Sequence, residues 1–172
     1  MEQPVRKTNR LRTYNYSSGG AYFITICTTD VVLSNIVARD FVRPEVRLTS
    51  VGEIIEKNIK QINRAENVFV DHYVIMPDHV HMIIYINDTT GEKEKGQDPA
   101  NERIPQVVSA FKRYSQKDVG RRIFQRGYYD HIIRNDKDYD VKWQYIDDNP
   151  ANWLQKKKWQ EEKKRMHLQE IT

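Results

Sequence analysis

Residues 68–86 read VFVDHYVIMPDHVHMIIYI and contain the clearest strand pattern of the chain. Two almost continuously apolar runs, residues 68–76 and 79–86, are rich in β-branched and aromatic side chains, so each predicts a β-strand. Pro77 and Asp78 form the short connection between them, which predicts an antiparallel pair. Since neither run alternates between apolar and polar residues, both strands are predicted to lie in the interior of a sheet.

Two further strands are predicted on either side of this pair. Residues 22–29 read YFITICTT, and residues 123–134 read IFQRGYYDHIIR, which is interrupted at Gly127. Both stretches contain the β-branched and aromatic residues that favour strands, and the glycine predicts a bulge. Residues 31–47 contain two short apolar patches and Pro44, which indicates a loop or a hairpin.

Two helices are predicted between the strands. Residues 50–65 carry their apolar side chains on one helical face, and Ser50 with Glu53 makes a capping box at the start. The second helix begins near Pro105, which suits a first turn, and ends at Gly120, which suits a C-terminal stop. The order strand, helix, strand, strand, helix, strand is typical of an α+β, ferredoxin-like βαββαβ fold with both helices on one face of an antiparallel sheet.

The C-terminal part of the chain is predicted to extend this fold by helices. A third helix is expected at residues 138–148 and should stop before Pro150, which opens a last, basic helix. The chain is thus divided into one domain, residues 1–150, and a helical tail, residues 151–172. A flexible loop is predicted at residues 87–101, which contain no large apolar side chain.

Length and composition restrict the class of protein. A chain of 172 residues with 38% hydrophobic and 10% aromatic residues predicts one folded domain rather than a disordered polymer. No apolar run approaches the roughly 20 residues that span a bilayer, and the N-terminal stretch lacks the apolar core of a signal peptide. Cys27 is the single cysteine, which excludes an internal disulfide and a cysteine-based zinc site. These features predict a cytoplasmic, nucleoid-associated protein that does not enter a membrane.

Positive charge is concentrated in three clusters. The net charge is +4 and the isoelectric point about 9.1, and neither value alone identifies a partner. One cluster is an N-terminal arm, one is the second helix with the turn after it, and one lies in the C-terminal tail. Basic clusters with aromatic residues nearby favour a polyphosphate partner such as nucleic acid. The residues predicted to contact DNA are Arg10, Arg12, Lys112, Arg113, Lys117, Arg121 and Arg122.

The sequence His79-Val80-His81 is the first candidate site. Side chains alternate along a strand, so both imidazoles project from the same sheet face and Val80 from the other. Two neutral imidazoles side by side can bind a metal ion. With one carboxylate or amide they would leave positions open for a phosphate oxygen on Mg²⁺ or Mn²⁺, whereas a closed zinc site needs more ligands than this chain readily supplies. An isolated His-x-His is more often a pair of partly buried structural histidines.

Tyr114 on the second helix is the second candidate. Asp118 follows it by one turn and shares its face. A helix packed across the sheet could place Tyr114 and Asp118 over the two histidines, where a metal-polarised phosphodiester would make the phenol an effective nucleophile. Taken alone, one tyrosine among ten is more often a surface residue that covers an apolar helix edge.

Several segments together resemble a known family. In this order the chain contains NRLRTYNYSSGGAYFITICT, HYVIMPDHVHMIIYI, IPQVVSAFKRYSQKDVG and GYYDHIIRNDKDYDVKWQYIDDNPANW. These segments resemble the REP-associated tyrosine transposases, a branch of the single-tyrosine HUH transposases of the insertion-sequence type, which are named for a His-hydrophobic-His motif. The resemblance covers about residues 8–153.

The resemblance implies an activity and the roles of several residues. It implies a metal-dependent, DNA-binding endonuclease of DNA transposition and recombination, which cleaves single-stranded DNA next to hairpins through a 5′-phosphotyrosine and rejoins the ends. It makes His79 and His81 metal ligands and Tyr114 the nucleophile. In related enzymes a polar residue one turn after the tyrosine completes the metal site; here this is Asp118, where a glutamine is common. His131 is a further metal-ligand candidate if its strand lies beside the histidine strand. The implied cofactor is Mg²⁺ or Mn²⁺, and the implied partner is single-stranded or hairpin DNA.

Other functions and two assembly states are also compatible with the sequence. The sheet could bind RNA or single-stranded DNA without cutting it, although its strands lack an RNP1-like pattern. The histidines and Asp118 could instead serve a hydrolase that uses water, or the chain could be a domesticated transposase with a role in the host genome. Insertion-sequence relatives work as homodimers in which the tyrosine helix of one subunit completes the other's site. The loop at residues 87–101 is long enough for either a dimer or a monomer.

Overall fold

The computed structural model describes residues 20–39, 43–87 and 103–170, with side chains to residue 167. In this part the chain forms six strands and three helices. The strands are β1 (Gly20–Cys27), β2 (Ser34–Val37), β3 (Glu45–Leu48), β4 (Val68–Ile75), β5 (His79–Ile86) and β6 (Tyr129–Ile133), and the helices are α1 (Ser50–Ile62), α2 (Arg103–Val119) and α3 (Asp136–Glu170). The predicted arm with Arg10 and Arg12, and most of the predicted loop at residues 87–101, lie outside the described residues.

Four strands form the main sheet in the order β4-β5-β1-β6, and every neighbouring pair is antiparallel. With α1 and α2 as the two crossover helices, this is the ferredoxin-like arrangement. The predicted α+β fold is therefore confirmed. Because β5 and β1 are the central strands, the strand that carries both histidines is hydrogen-bonded on each side.

The two faces of the sheet carry different helices. On one face, α1 and α2 cover a core that includes Val80. On the other face, α3 places Ile146 against Phe23 and Ile83. Neighbouring residues of a strand point to opposite faces, so the residues on either side of Val80 point towards α3. The face on which each helix packs therefore decides which helix can meet the histidines.

The helices α1 and α2 form where the apolar spacing predicts them. Side chains three or four residues apart fall on one side of a helix, and burying each large one stabilises the fold by about 1.5–3 kcal/mol. Gly120 ends α2 with a φ of +79°, a conformation that glycine adopts without strain. The buried stripes consist of Ile55, Ile59 and Ile62 in α1 and of Ile104, Val108 and Phe111 in α2.

The start of α1 differs from the prediction. Thr49 is the N-cap, and its Oγ1 accepts a hydrogen bond from the N–H of Gly52 at 3.1 Å. The predicted capping box of Ser50 and Glu53 is wrong. The cap lies one residue earlier because Thr49 is fixed by the carbonyl of Leu33, to which its N–H and Oγ1 donate at 2.9 and 3.0 Å.

The structure also decides two uncertain strand predictions. Residues 31–47 contain the antiparallel pair of β2 and β3, so the hairpin is the correct alternative. The strand predicted at residues 123–134 begins only at Tyr129. Phe124 forms an isolated bridge with Thr28, and residues 125–128 between this bridge and β6 belong to no strand.

The predicted end of the third helix before Pro150 is wrong, because α3 continues through this residue to Glu170. A proline in a helix interior costs about 3 kcal/mol. Buried Ile146 and Asn149 precede the proline and half-buried Trp153 follows it, so packing against the sheet offsets this cost. Neither α3 nor any other helix in the described part of the chain combines the length and apolarity needed to cross a membrane.

Candidate active site

His79 and His81 project from the same face of β5, as the alternation of strand side chains predicts. Their ring centroids are 4.4 Å apart, and Val80 between them is buried in the core on the opposite face. His81 is 4% exposed, whereas the side chain of His79 is 17% exposed. The two imidazoles therefore form a pair that reaches solvent at the His79 end.

Each imidazole is held through its Nδ1 atom. Asp78 Oδ1 lies 2.5 Å from His79 Nδ1, and Thr25 Oγ1 lies 2.8 Å from His81 Nδ1. A carboxylate only accepts hydrogen bonds, so Nδ1 of His79 carries the proton and Nε2 of the neutral ring keeps its lone pair. A carboxylate partner fixes the tautomer and orientation of a metal-binding histidine. The Thr25 hydroxyl can donate or accept, so it holds the orientation of His81 without fixing its tautomer. The pair thus has the chemistry of a site that binds a metal through Nε2.

The charge state of His81 also suits metal binding. Burial lowers the pKa of His81 to about 3, and the nearby His79 acts in the same direction. His81 is therefore neutral at physiological pH, which is the form that binds metals. Among the residues that the structure describes, no group of three or more His, Cys, Asp and Glu side chains is placed to hold a metal. A third protein ligand has to be sought among other side chains, such as amides.

Helix α3 lies across the histidine pair and places aromatic rings against both. The Tyr145 ring is 5.2 Å from that of His81, and the Trp153 ring is 6.4 Å from that of His79. Phe23 of β1 stacks on His81 at 5.1 Å and meets Tyr145 edge-on at 5.8 Å. Because Tyr145 is 46% exposed, it combines a contact with His81 and access to solvent.

Asn149 lies on α3 between these two contacts. Tyr145, Asn149 and Trp153 are spaced by four residues, so they follow one another along one side of the helix. Since Tyr145 meets His81 and Trp153 meets His79, the buried Asn149 faces the histidine pair. Its amide oxygen belongs to the ligand types that suit Mg²⁺ and Mn²⁺. Asn149 is therefore the residue of this site that could complete a metal-binding set.

Tyr114 and Asp118 lie on the other side of the sheet. Helix α2 packs beside α1 over the face that carries Val80, so the sheet itself separates α2 from the histidines. The expectation that α2 places Tyr114 and Asp118 over the histidines is wrong. An apolar stripe shows that a helix packs on a sheet, but it does not show on which face.

The contacts of Tyr114 and Asp118 are those of an interface between helices. Tyr114 borders a groove between α1 and α2, and the guanidinium of Arg113 lies 5.0 Å from its ring centroid. Asp118 accepts a hydrogen bond from Asn58 Nδ2 at 3.1 Å and lies 3.9 Å from Lys57 Nζ. Both side chains are therefore engaged with neighbours remote from the histidine pair.

The condition under which His131 would join the metal site is not met. β1 lies between β6 and β5, and His131 pairs with Phe23 rather than with a residue of the histidine strand. Its Nε2 lies 2.9 and 2.8 Å from the two carboxylate oxygens of Asp138. The suggestion that His131 is a ligand beside His79 and His81 is therefore not supported by its placement.

The predicted DNA contacts have two kinds of surroundings. Lys112 Nζ donates to the carbonyl oxygens of Gln125 and Gly127 at 2.6 and 2.8 Å, so it holds the turn that precedes β6. The other predicted contacts in the described part of the chain are exposed to solvent. They are Arg113, Lys117, Arg121 and Arg122.

Sequence reasoning missed Tyr145 and Asn149, although a signal for them was present. Both Tyr114 and Tyr145 are followed one helical turn later by a polar residue, Asp118 and Asn149 respectively. The spacing criterion therefore fits both tyrosines equally. Only the packing of α3 on the histidine face distinguishes them.

Two proteins of known sequence are similar to this chain. No model of a known protein family matches the chain. An uncharacterised protein of Haemophilus influenzae is 30% identical over 166 residues, which is 87% of this chain and 91% of that protein. A second Haemophilus influenzae protein, provisionally named a REP-associated tyrosine transposase, is 26% identical over 150 residues, which is 80% of this chain and 73% of that protein.

A solved structure shares the fold. It is a REP-associated tyrosine transposase bound to a REP hairpin, and it matches with a TM-score of 0.57 and 22% identity over 83% of this chain and 73% of that chain. The ferredoxin-like sheet thus shares the fold of that solved structure. The chain belongs to the family of its 30% identical relative and is a homologue of the REP-associated tyrosine transposases. This homology supports a transposase function.

Proposed function

We propose that the chain is a metal-dependent single-stranded DNA transposase and endonuclease in which Tyr145, rather than Tyr114, is the nucleophile. The observation that carries the proposal is the contact between Tyr145 and His81, whose ring centroids lie 5.2 Å apart on the face that bears both histidines. The homology to transposases supports the same class of reaction. The reaction proposed is cleavage of a strand beside a hairpin, followed by rejoining.

His79, His81 and Asn149 are the residues that would hold Mg²⁺ or Mn²⁺. The amide oxygen suits these ions, and a set of two imidazoles and one amide leaves coordination positions for phosphate oxygens, which these ions favour. A bound ion would polarise a phosphodiester and offset the negative charge that develops on it. Asn149 takes the place of Asp118 in this proposal, because Asp118 is hydrogen-bonded to Asn58 on the far side of the sheet.

Tyr145 would carry out the covalent step. Its Oη attacks the phosphorus, the bond from phosphorus to the 3′ oxygen breaks, and the DNA is left with a 5′-phosphotyrosine and a free 3′-OH. The phenol proton passes to solvent, which the half-exposed side chain can reach, and the departing 3′ oxygen takes up a proton. Attack by a 3′-OH on the phosphotyrosine reverses these steps and joins two ends. No nucleotide is consumed, because the ester bond to Tyr145 replaces the ester bond that was broken.

A basic turn at the same end of the sheet as the histidines is proposed to hold the DNA backbone. Arg121 and Arg122 precede Ile123, whose carbonyl accepts a hydrogen bond from the N–H of Thr29 at 2.9 Å. Thr29 follows β1 at the end where His79 begins β5. The solved relative is bound to a REP hairpin, which supports hairpin DNA as a partner of this chain. Further proposed contacts are Arg10, Arg12, Arg113 and Lys117.

A strand-cleavage assay with two matched tyrosine variants tests the proposal. Hairpin DNA with single-stranded flanks, taken from beside the gene and labelled at its 5′ or 3′ end, is incubated with the protein and Mg²⁺ or Mn²⁺. We expect a protein–DNA adduct on the fragment that carries the 3′ label. Tyr145→Phe should abolish it, whereas Tyr114→Phe should leave it unchanged, although the two tyrosines are similarly exposed, at 46% and 49%.

Three other results would each point to a different function or residue. Loss of the adduct in Tyr114→Phe but not in Tyr145→Phe would show that Tyr114 on α2 is the nucleophile. Cleavage that survives Tyr145→Phe and releases a free 5′-phosphate would indicate a hydrolase that uses water. Tight binding without any adduct, unaffected by removal of metal, would indicate a nucleic-acid-binding protein.

A further inference from the structure

Lys142 and the proposed nucleophile Tyr145 both contact the ring of Phe23. Lys142 precedes Tyr145 by three residues on α3, a spacing that puts both side chains on the same side of the helix. Its Nζ lies 5.4 Å from the ring centroid of Phe23, and the same ring contacts both His81 and Tyr145. Lys142, Tyr145 and His81 therefore surround one aromatic ring.

The charge of Lys142 is not used in an ion pair. None of the ion pairs formed by the residues that the structure describes includes Lys142. Asp138, one turn earlier, uses both carboxylate oxygens on His131 and also accepts from the N–H of Arg134 at 3.2 Å. Burial acts to raise the pKa of Asp138, but these hydrogen bonds and the charges of His131 and Lys142 lower it. The ammonium is therefore near the carboxylate of Asp138 but forms no ion pair within the described part of the chain.

A bound Mg²⁺ or Mn²⁺ would supply part of the positive charge that the proposed reaction uses, and a nearby lysine would add to it. A phosphodiester is negatively charged, and the charge on its oxygens must be stabilised as the phosphorus is attacked. A preorganised lysine beside a phosphate supplies this stabilisation, and loss of one such donor lowers turnover by about 10²–10³.

We propose that Lys142 is a catalytic residue that binds a non-bridging oxygen of the phosphate attacked by Tyr145. This inference rests on the proposed function and deepens it. The bond that forms joins Tyr145 Oη to phosphorus, and the bond that breaks joins phosphorus to the 3′ oxygen. Lys142 keeps its protons throughout, so it acts by charge and hydrogen bonding. The cation–π contact with Phe23, whose ring also stacks on His81, restrains the position of the ammonium.

The test compares Lys142→Ala and Lys142→Arg with Lys137→Ala. Lys137 is an exposed lysine in the first turn of the same helix, on a different side, and serves as the matched control. Adduct formation should slow by about 10²-fold or more in Lys142→Ala, recover to within about tenfold of wild type in Lys142→Arg, and stay within about twofold of wild type in Lys137→Ala.

In a second measurement, the affinity for the same hairpin DNA is followed against salt concentration in EDTA. Loss of one phosphate contact should reduce the logarithmic slope by about 0.7 in Lys142→Ala.

The two measurements separate failure of this inference from failure of the proposed function. If the wild type forms no adduct but Lys142→Ala still reduces the salt slope, the proposed function fails and the phosphate contact stands. If the wild type forms the adduct while Lys142→Ala neither slows it nor changes the slope, the inference is overturned and the proposed function stands. Equal slowing in Lys142→Ala and Lys142→Arg would also overturn it, because a retained positive charge should rescue the reaction.

Discussion

At the scale of single residues, the surroundings of His81 determine both its chemistry and its effect on stability. Burial lowers its pKa to about 3, against about 6.5 in an unfolded chain. Below pH 6.5 the unfolded state therefore binds a proton that the folded state excludes. The free energy of unfolding of the metal-free protein should fall as the pH drops from about 6.5 towards 3, by up to about 1.4 kcal/mol per unit from this residue.

Urea unfolding at pH 7, 6, 5 and 4 in EDTA checks this prediction against His81→Asn. The variant keeps a polar side chain near Thr25 but removes the titrating group. The wild type should lose more stability between pH 7 and pH 4 than the variant does, because titrating carboxylates affect both proteins alike. Parallel pH dependences in the two proteins would contradict the assignment of a buried, neutral His81.

The residues of the site differ in how far the sequence could predict them. The shared face of His79 and His81 follows from strand periodicity alone, and the structure confirms it. The choice between Tyr114 and Tyr145 depends instead on which face of the sheet each helix covers. Helical periodicity carries no information about that choice, since each helix presents an apolar stripe to whichever face it meets.

At the scale of elements, the first turn of α1 rests directly on the backbone of the chain before β2. A Cβ added to Gly52 would lie 2.0 Å from the carbonyl oxygen of Leu33. Because this oxygen belongs to the backbone, the clash could be relieved only by moving the helix. Gly52→Ala is therefore expected to destabilise the fold by about 3 kcal/mol or more. Gly120→Ala is the control. A Cβ at Gly120 would have no atom within 4 Å, so the backbone φ of +79° is the source of strain, and a loss of about 1 kcal/mol in the free energy of unfolding is expected.

Thermal or urea unfolding of both glycine variants measures the difference. A larger loss of stability in Gly52→Ala than in Gly120→Ala would agree with a close approach between α1 and the backbone of Leu33 that only glycine permits at position 52. Similar losses for the two variants would mean that α1 can shift away from Leu33 at little cost, and that the contact does not fix the position of the helix.

Helix α3 is the element whose extent the sequence predicted least well. The rule that a helix stops before proline failed because tertiary contacts hold α3 to the sheet on the N-terminal side of Pro150. Trp143 stacks on His72 of β4 with ring centroids 3.9 Å apart, and Asp147 Oδ1 lies 2.8 Å from His72 Nε2. Because these contacts link residues that are distant in the chain, no local sequence pattern predicts them. They also hold the part of α3 that carries Tyr145.

At the scale of the whole molecule, the packed domain ends a few residues later than the predicted boundary at residue 150. Trp153 and Leu154 are half-buried, whereas residues 155–167 are exposed. Residues 156–172 contain six lysines and arginines against three glutamates. Deleting them should leave the unfolding temperature within about 2 °C of wild type, since exposed residues contribute little to stability, and should weaken binding to hairpin DNA and its salt dependence.

Differential scanning fluorimetry and fluorescence anisotropy measure these two effects. The control is the full-length variant with Lys156, Lys157 and Lys158 changed to Gln, which removes charge without shortening α3. It should show the same direction of change in DNA affinity. A fall of more than about 10 °C on deletion would show that the tail belongs to the folded core.

The arrangement of the site also bears on assembly. Tyr145, His79 and His81 all come from one chain, so their contact requires no exchange of helices between two copies. A homodimer and a monomer both stay predictions, and in a dimer that exchanged helices the proposed nucleophile Tyr145 would be carried by α3 rather than α2.

The site of the covalent link to DNA identifies the nucleophile directly. The adduct formed on hairpin DNA is treated with nuclease and trypsin, and the tyrosine-bearing peptides are sequenced by mass spectrometry. Residues 143–156, WQYIDDNPANWLQK, contain Tyr145 as their single tyrosine, and residues 114–117, YSQK, contain Tyr114. The proposed mechanism predicts a nucleotide linked through phosphate to Tyr145 in the first peptide. The same mass shift on Tyr114, or on any other tyrosine, would contradict it.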